Sequence, residues 1–218
     1  MKPLAALLFD LDGTLTDTDH LHEQAWIEAL LPYGIQADHA YYQTHVSGKL
    51  NPDIVADILP QLSKAQGEAF LQSKEVRFRQ MASNLPPIPG LGRIWPWAQE
   101  QSLGLALVTN APKANVEHML EMLGLQFETV IIAEELAAGK PHPLPYRTAL
   151  ETLGITADQA IAFEDSPSGI RSAVGAGIRT VALTTGHKIE GLEAAGATLV
   201  VKDFNDQKLW DWLDKQRQ

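Results

Sequence analysis

Six short apolar runs, most of them separated by stretches of helical pattern, constrain the fold of this chain more than any other feature. Leu4–Phe9, Gly104–Val108, Thr129–Ala133, Ala160–Phe163, Arg179–Leu183 and Thr198–Val201 read as strands. Helical patterns occupy Asn115–Leu123, Pro145–Leu153, Ser168–Ala176 and Gln207–Lys215. Strands that alternate with helices of this length form crossover units, which require a parallel sheet with helices on both faces. The expected fold is therefore α/β, a doubly wound (Rossmann-like) parallel-sheet core.

The alternation fails between Asp17 and about Leu85. His20–Leu31, Ala37–Val46, Pro52–Leu59 and Lys64–Ala82 all carry helical patterns, punctuated by Pro32, Gly34, Gly48, Pro52 and Pro60. Pro86-Pro87-Ile88-Pro89-Gly90 is a stiff, turn-prone return into the α/β pattern. The expected division is a core of residues 1–15 and 86–218 with an inserted α-helical cap domain over 16–85. Hinges are expected near Thr14–Asp19 and Leu85–Gly90.

Composition narrows the function classes. The chain of 218 residues has no cysteine, which excludes disulfides, thiolate zinc sites and cysteine nucleophiles. A formal net charge of −10 opposes nonspecific association with nucleic acid or anionic membrane. The apolar run Leu4–Phe9 is too short for a signal peptide or a membrane span. The expectation is a cytoplasmic protein, a monomer or small homo-oligomer, that binds neither nucleic acid nor membrane.

Phe9-Asp10-Leu11-Asp12-Gly13-Thr14 carries the chemistry. An apolar strand delivers Asp10 to its carboxyl end, where open α/β sheets bind ligands. Period-2 alternation aims Asp10 and Asp12 the same way, and Gly13 permits a tight turn. Adjacent carboxylates repel unless a cation or a shared proton compensates, and Mg²⁺ favours oxygen ligands. A strand end followed by an Asp-Gly turn is the plainer alternative. Further along, Thr109-Asn110 follows the second core strand, Lys140 the third, and Glu164-Asp165-Ser166-Pro167 the fourth. Each has a structural reading of its own: a turn, a solvated charge, a helix cap. Their recurrence at successive strand ends favours a shared site.

Together these segments resemble the haloacid dehalogenase-like hydrolase superfamily, in the subgroup of β-phosphoglucomutase and phosphoglycolate-phosphatase-like enzymes with a helical cap. Asp10-Leu11-Asp12-Gly13-Thr14 matches its first motif, Thr109 the second, Lys140 the third and Glu164-Asp165 the fourth. The resemblance implies a Mg²⁺-dependent enzyme in which Asp10 attacks a phosphoryl group to give an aspartyl-phosphate. Asp12 would act as general acid and then base, with its carbonyl on the metal. Asp10, Glu164 and Asp165 would complete the metal site. Leu11, Thr109, Asn110 and Lys140 would contact the phosphate. An aspartate at position 12 fits ester leaving groups, which need a proton, rather than halide or phosphonate chemistry.

In the helical insertion, His22 and Trp26 resemble substrate-contacting positions of the subgroup. They stand four residues apart and share a helix face, although Trp26 packing in the cap core is an equally good reading. Lys49 and Asn51 lie in the turn where a phosphomutase carries a phosphate-clamping arginine, and Asn51 occupies that arginine's position. Ala111-Pro112 stands where the mutase has a serine and a lysine. Without a distal clamp, water is the expected phosphoryl acceptor, and the expected activity is a phosphatase acting on a small phosphorylated metabolite such as a sugar phosphate or phosphoglycolate. A β-phosphoglucomutase-type activity is the alternative. A receiver-like phospho-aspartate module fits worse, because there the acidic pair ends the first strand. A noncatalytic module would be expected to have lost Asp10, Asp12, Lys140 or Asp165. A dinucleotide-binding turn is missing after the first strand.

Overall fold

The structure, a computed structural model, describes residues 2–47 and 49–216. Its elements in chain order begin with β1 (Ala6–Phe9), α1 (Asp19–Leu30), α2 (His39–His45), α3 (Asn51–Ile58), α4 (Lys64–Met81) and α5 (Leu91–Glu100). β2 (Gly104–Thr109), α6 (Lys113–Leu123), β3 (Thr129–Ile132), α7 (Leu144–Leu153), β4 (Ala160–Glu164) and α8 (Pro167–Gly175) follow. β5 (Arg179–Leu183), α9 (Ile189–Ala194), β6 (Leu199–Val201) and α10 (Gln207–Gln216) complete the chain. Contacts divide it into two compact units, Met1–Asp17 with Pro86–Gln218, and Thr18–Leu85.

The first unit is built on a six-stranded sheet of order β3-β2-β1-β4-β5-β6, parallel throughout. Strand order reverses between β1 and β4, and open α/β sheets bind ligands at the carboxyl ends of strands at such a reversal. Both sheet faces are covered, so the strands are apolar on alternate and intervening residues alike. Ala6 and Leu8 of β1 face one side, in a cluster with Val108, Tyr146, Ala149, Ala162 and Ala173. On the other side Phe9 stacks on Phe163 at 5.0 Å between ring centroids and meets Trp95, Phe127 and Phe204 at 6.0, 6.2 and 6.1 Å.

Helices α5 and α9 have no counterpart in the sequence reading. Gly92 and Pro96 interrupt the propensity of α5, yet the helix buries Leu91, Ile94 and Ala98. Packing outweighs propensity there.

The second unit packs Trp26, Leu30, Tyr42, Val46, Ile54, Val55, Leu59 and Phe70 into a core of its own. Its longest helix, α4, opens with a capping box. The Ser63 hydroxyl accepts from the Gln66 amide at 3.4 Å, and the Gln66 side chain accepts from the Ser63 amide at 2.9 Å. Among the described residues, no helix is long and apolar enough to cross a membrane.

The position of Phe9 among four other aromatic rings sets an expectation for stability. Phe9→Ala should destabilise the protein by about 3–5 kcal/mol, read from its chemical denaturation midpoint. A loss below about 1 kcal/mol would show that the aromatic layer collapses around the gap.

Candidate active site

Sheet register assembles the site. Phe9 lies opposite Phe163, and the Asp10 amide donates to the Phe163 carbonyl at 3.0 Å, which brings Asp10 level with the end of β4. Alternation places Asp10 on the same face as Ala6 and Leu8, and Glu164 on the same face as Ala160 and Ala162. Neighbouring strands are about 4.8 Å apart, so two carboxylates are forced together on the face that carries α7. Both are buried: Glu164 is 0% exposed and Asp10 8%.

Lys140 compensates them. Its ammonium, itself buried, lies 2.5 Å from Asp10 Oδ1 and 2.6 Å from Glu164 Oε1. The loop that carries it is fixed by Asn110, which receives the Lys140 amide on Oδ1 at 3.0 Å and donates from Nδ2 to the Lys140 carbonyl at 3.2 Å. Burial alone would lower the Lys140 pKa, but the Asp10 and Glu164 charges reverse this and raise it. Burial pushes Asp10 up to about 8. Lys140 opposes that rise, while Glu164 and then Asp12 reinforce it. Burial and the facing Glu164 and Asp10 charges also hold the Tyr146 phenol protonated, with its pKa well above the usual tyrosine value.

Two glycines make room for the acids. Gly13 has φ +74°, and a Cβ there would lie 2.1 Å from Asp165 Oδ2. A Cβ on Gly169 would lie 1.8 Å from Glu164 Oε2. The acidic pair does not cap α8; Ser166 does, accepting from the Gly169 amide at 3.0 Å ahead of Pro167. The acids are thereby left to face one another. Oxygens of Asp10, Glu164 and Asp165 lie within 4.8 Å of each other, all three residues are buried, and Glu164 Oε2 has no hydrogen-bond partner. An all-oxygen cluster with excess negative charge and an unpartnered oxygen fits a hard divalent cation.

The other positions singled out from sequence are distributed as follows. Thr109 ends β2, buried, and its hydroxyl accepts from the Ala111 amide at 2.9 Å. Leu11 is buried, and its carbonyl accepts from the Leu15 amide at 2.8 Å within the turn that holds Gly13. Asp12 bridges to Thr16 in the same turn. His22, Trp26, Lys49 and Asn51 belong to the helical unit. Trp26 is a core residue there, at 2% exposure. The His22 ring stacks on Phe78 at 3.9 Å and lies 3.3 Å from the Lys74 ammonium. Lys49 pairs with Asp57 at 3.4 Å, and Asn51 donates to Glu75 at 2.6 Å.

Four residues of interest escaped the sequence reading. The Tyr146 hydroxyl donates to Glu164 Oε1 at 2.6 Å, and the Thr185 hydroxyl donates to the Gly13 carbonyl at 2.6 Å. In the helical unit, Lys74 and Glu75 form a buried pair at 2.8 Å. Tyr146 stands in an apolar helical pattern, and Lys74-Glu75 in a charged one, so neither stretch signals its role locally.

Comparison with known proteins agrees with this geometry. The profile of the haloacid dehalogenase-like hydrolases matches residues 7–183. The chain belongs to that family. Its relatives include the validoxylamine A 7'-phosphate phosphatase of Streptomyces hygroscopicus subsp. limoneus, 32% identical, with 91% of this chain and 93% of the relative covered. Fructose-1-phosphate phosphatase YqaB of Escherichia coli is 30% identical, with 81% and 95% covered. The structure of CbbY from Rhodobacter sphaeroides with xylulose-(1,5)bisphosphate matches at a TM-score of 0.82 and 27% identity, covering 93% of this chain and 96% of that one. The protein is thus a haloacid dehalogenase-like phosphoric monoester hydrolase, in a family that also contains phosphomutases. The family generally uses Mg²⁺, and the buried acids here could hold such an ion.

The raised Asp10 pKa would make any binding of a cation by these acids depend on pH. Between an unfolded-state value of 3.8 and a folded value of about 8, the native state keeps a proton that the unfolded chain has released. Asp10 therefore contributes a stability that is full below the lower value and lost as pH rises through the upper one. A bound cation favours the carboxylate, so the rise in melting temperature on adding Mg²⁺ should be larger at about pH 8 than at about pH 6. Asp10→Asn should flatten that difference. Thermal melts with and without Mg²⁺ decide it, and a shift that shrinks with pH would contradict the assignment.

Proposed function

We propose that the protein is a Mg²⁺-dependent phosphatase of a small phosphorylated metabolite, a sugar phosphate or a phosphoglycolate-like compound, acting through an aspartyl-phosphate on Asp10. The observation that carries this reading is the buried Lys140 ammonium shared between Asp10 and Glu164, with Asp165 alongside. Phosphoryl transfer needs positioning and charge stabilisation above all, and this cluster offers a nucleophile, a fixed cation and a cation site together.

In this reading Asp10 attacks phosphorus and the ester oxygen departs with a proton from Asp12. Asp12 then takes a proton from the water that hydrolyses the acyl-phosphate. Lys140 and the Thr109 hydroxyl hold phosphoryl oxygens. Asn110 also counts as a phosphate contact in the family pattern, but with both polar atoms on the Lys140 main chain it is better read as the brace of that loop. Asp10, Asp165, Glu164 and the Asp12 carbonyl are the groups that would hold Mg²⁺, which when bound offsets phosphate charge.

Residues 16–85 would serve as a cap that selects the leaving group, with His22, Trp26, Lys49 and Asn51 as its candidate contacts. The pairing of Lys49 with Asp57 and of Asn51 with Glu75 favours hydrolysis over a mutase, which needs a cationic clamp for a second phosphate. Ala111 and Pro112 add no charge after Thr109-Asn110.

The test is phosphate release from a panel of phosphorylated metabolites, with and without Mg²⁺, for wild type and Asp10→Asn. Wild type should release phosphate only with Mg²⁺, and Asp10→Asn should lose on the order of 10³-fold or more in kcat. β-Glucose 1-phosphate converted to glucose 6-phosphate without net phosphate release would establish the mutase instead. Asp10→Asn turnover equal to wild type would refute the covalent mechanism.

A further inference from the structure

Tyr146 lies in the first turn of α7, fully buried among Ala6, Leu8, Val108, Ala149 and Ala162. A hydroxyl in such surroundings is costly unless paired, and a phenylalanine would fill the same volume. Its partner is the acid that ends β4. Glu164 Oε1 receives two donors, the Tyr146 hydroxyl at 2.6 Å and the Lys140 ammonium at 2.6 Å, while Oε2 receives none. The carboxylate packs directly on Gly169, where an added Cβ would lie 1.8 Å from Oε2 and 2.2 Å from Oε1. The Lys140 ammonium also lies 5.4 Å from the Tyr146 ring centroid.

We infer that Tyr146 is a positioning residue: its hydroxyl holds Glu164 Oε1 so that Lys140 is divided between Glu164 and Asp10 rather than captured by Glu164. A buried carboxylate seeks donors in proportion to its charge. With the tyrosine donor present, part of that demand is met without Lys140, and the ammonium reaches Asp10 at 2.5 Å. Without it, Lys140 is the remaining donor to Oε1, and the Glu164–Lys140 pair tightens at the expense of Asp10. This inference rests on the proposed reading of Asp10 as the nucleophile that Lys140 supports. It adds to that reading a residue whose action is entirely indirect.

Tyr146→Phe keeps the ring and removes only the hydrogen bond. Its kcat for phosphate release should fall about 10-fold, the usual scale for a lost hydrogen bond to a charged group. Mg²⁺ binding to the resting protein, titrated calorimetrically with the metal alone, should tighten by a few-fold, because the acid cluster has lost a donor. A merely loosened core would weaken both quantities. Glu164→Gln reads the same bond from the other side. In that background Tyr146→Phe should change kcat and Mg²⁺ affinity by less than about two-fold, because coupled residues are not additive.

An unchanged kcat in Tyr146→Phe, weaker Mg²⁺ binding, or equal effects in both backgrounds would each overturn the inference. If wild type released no phosphate from any substrate, the proposed function would fall. The inference would then be decided by the calorimetric arm alone, by whether the Tyr146→Phe shift in Mg²⁺ affinity vanishes beside Glu164→Gln.

Discussion

One buried ammonium paired with two carboxylates of a three-acid cluster is the constraint from which the rest of the α/β unit follows. Charges removed from water are tolerated only when paired, and Lys140 cannot balance Asp10, Glu164 and Asp165 by itself. The remaining negative charge has two outlets. One is a proton: burial, with Glu164 and Asp12 nearby, lifts Asp10 to about 8 against the pull of Lys140. The other is a divalent ion, which would favour the carboxylate form of Asp10. A cation held by these acids would therefore be coupled to the charge on Asp10.

Such a cluster can exist only where backbone geometry enforces it. Parallel strands from the two halves of the sheet meet at β1 and β4, and their register sets Asp10 beside Glu164 whatever the side chains prefer. Gly13 and Gly169 remove the atoms that would collide with the acids. A glycine in the first turn of α8 sacrifices some helix stability, about 1 kcal/mol relative to alanine. Any larger residue would displace Glu164. The aromatic layer on the opposite face, centred on Phe9 and Phe163, gives the two strands a well-packed backing.

The sheet and the four acidic and basic positions were legible in the sequence because they obey local rules. Apolar runs mark strands, and strand ends mark ligand sites. Helix α5 was hidden because Gly92 and Pro96 argue against a helix that packing nonetheless stabilises. Tyr146 was hidden because its hydroxyl reaches from a helix to a strand end 18 positions away, and its ring fits an ordinary apolar stripe. Lys74 and Glu75 look like solvated charges on an exposed helix, yet they are buried against His22, Trp26 and Asn51. In each case the missing information was tertiary burial, which one sequence does not encode locally. Asn110 shows the converse. Its position beside Thr109 was legible, but its bonds to the main chain of Lys140 were not.

The bonds around the site share a direction that bears on mechanism. Asn110 fixes the Lys140 main chain, Thr185 fixes the Gly13 carbonyl, Ser166 fixes the start of α8, and Tyr146 fixes the Glu164 carboxylate. None of these four carries charge, and each restrains a group that does or the turn beside it. Neutral side chains can brace a site without competing for phosphate or metal, whereas charged braces would add to the field at the reacting atoms. A site organised this way would reach a transition state with little reorganisation, which is where electrostatic catalysis gains most of its advantage. Backbone register, the Lys140 ammonium and, at Glu164, the Tyr146 hydroxyl set the geometry of Asp10 and Glu164, so a cation held there would balance charge rather than gather its ligands.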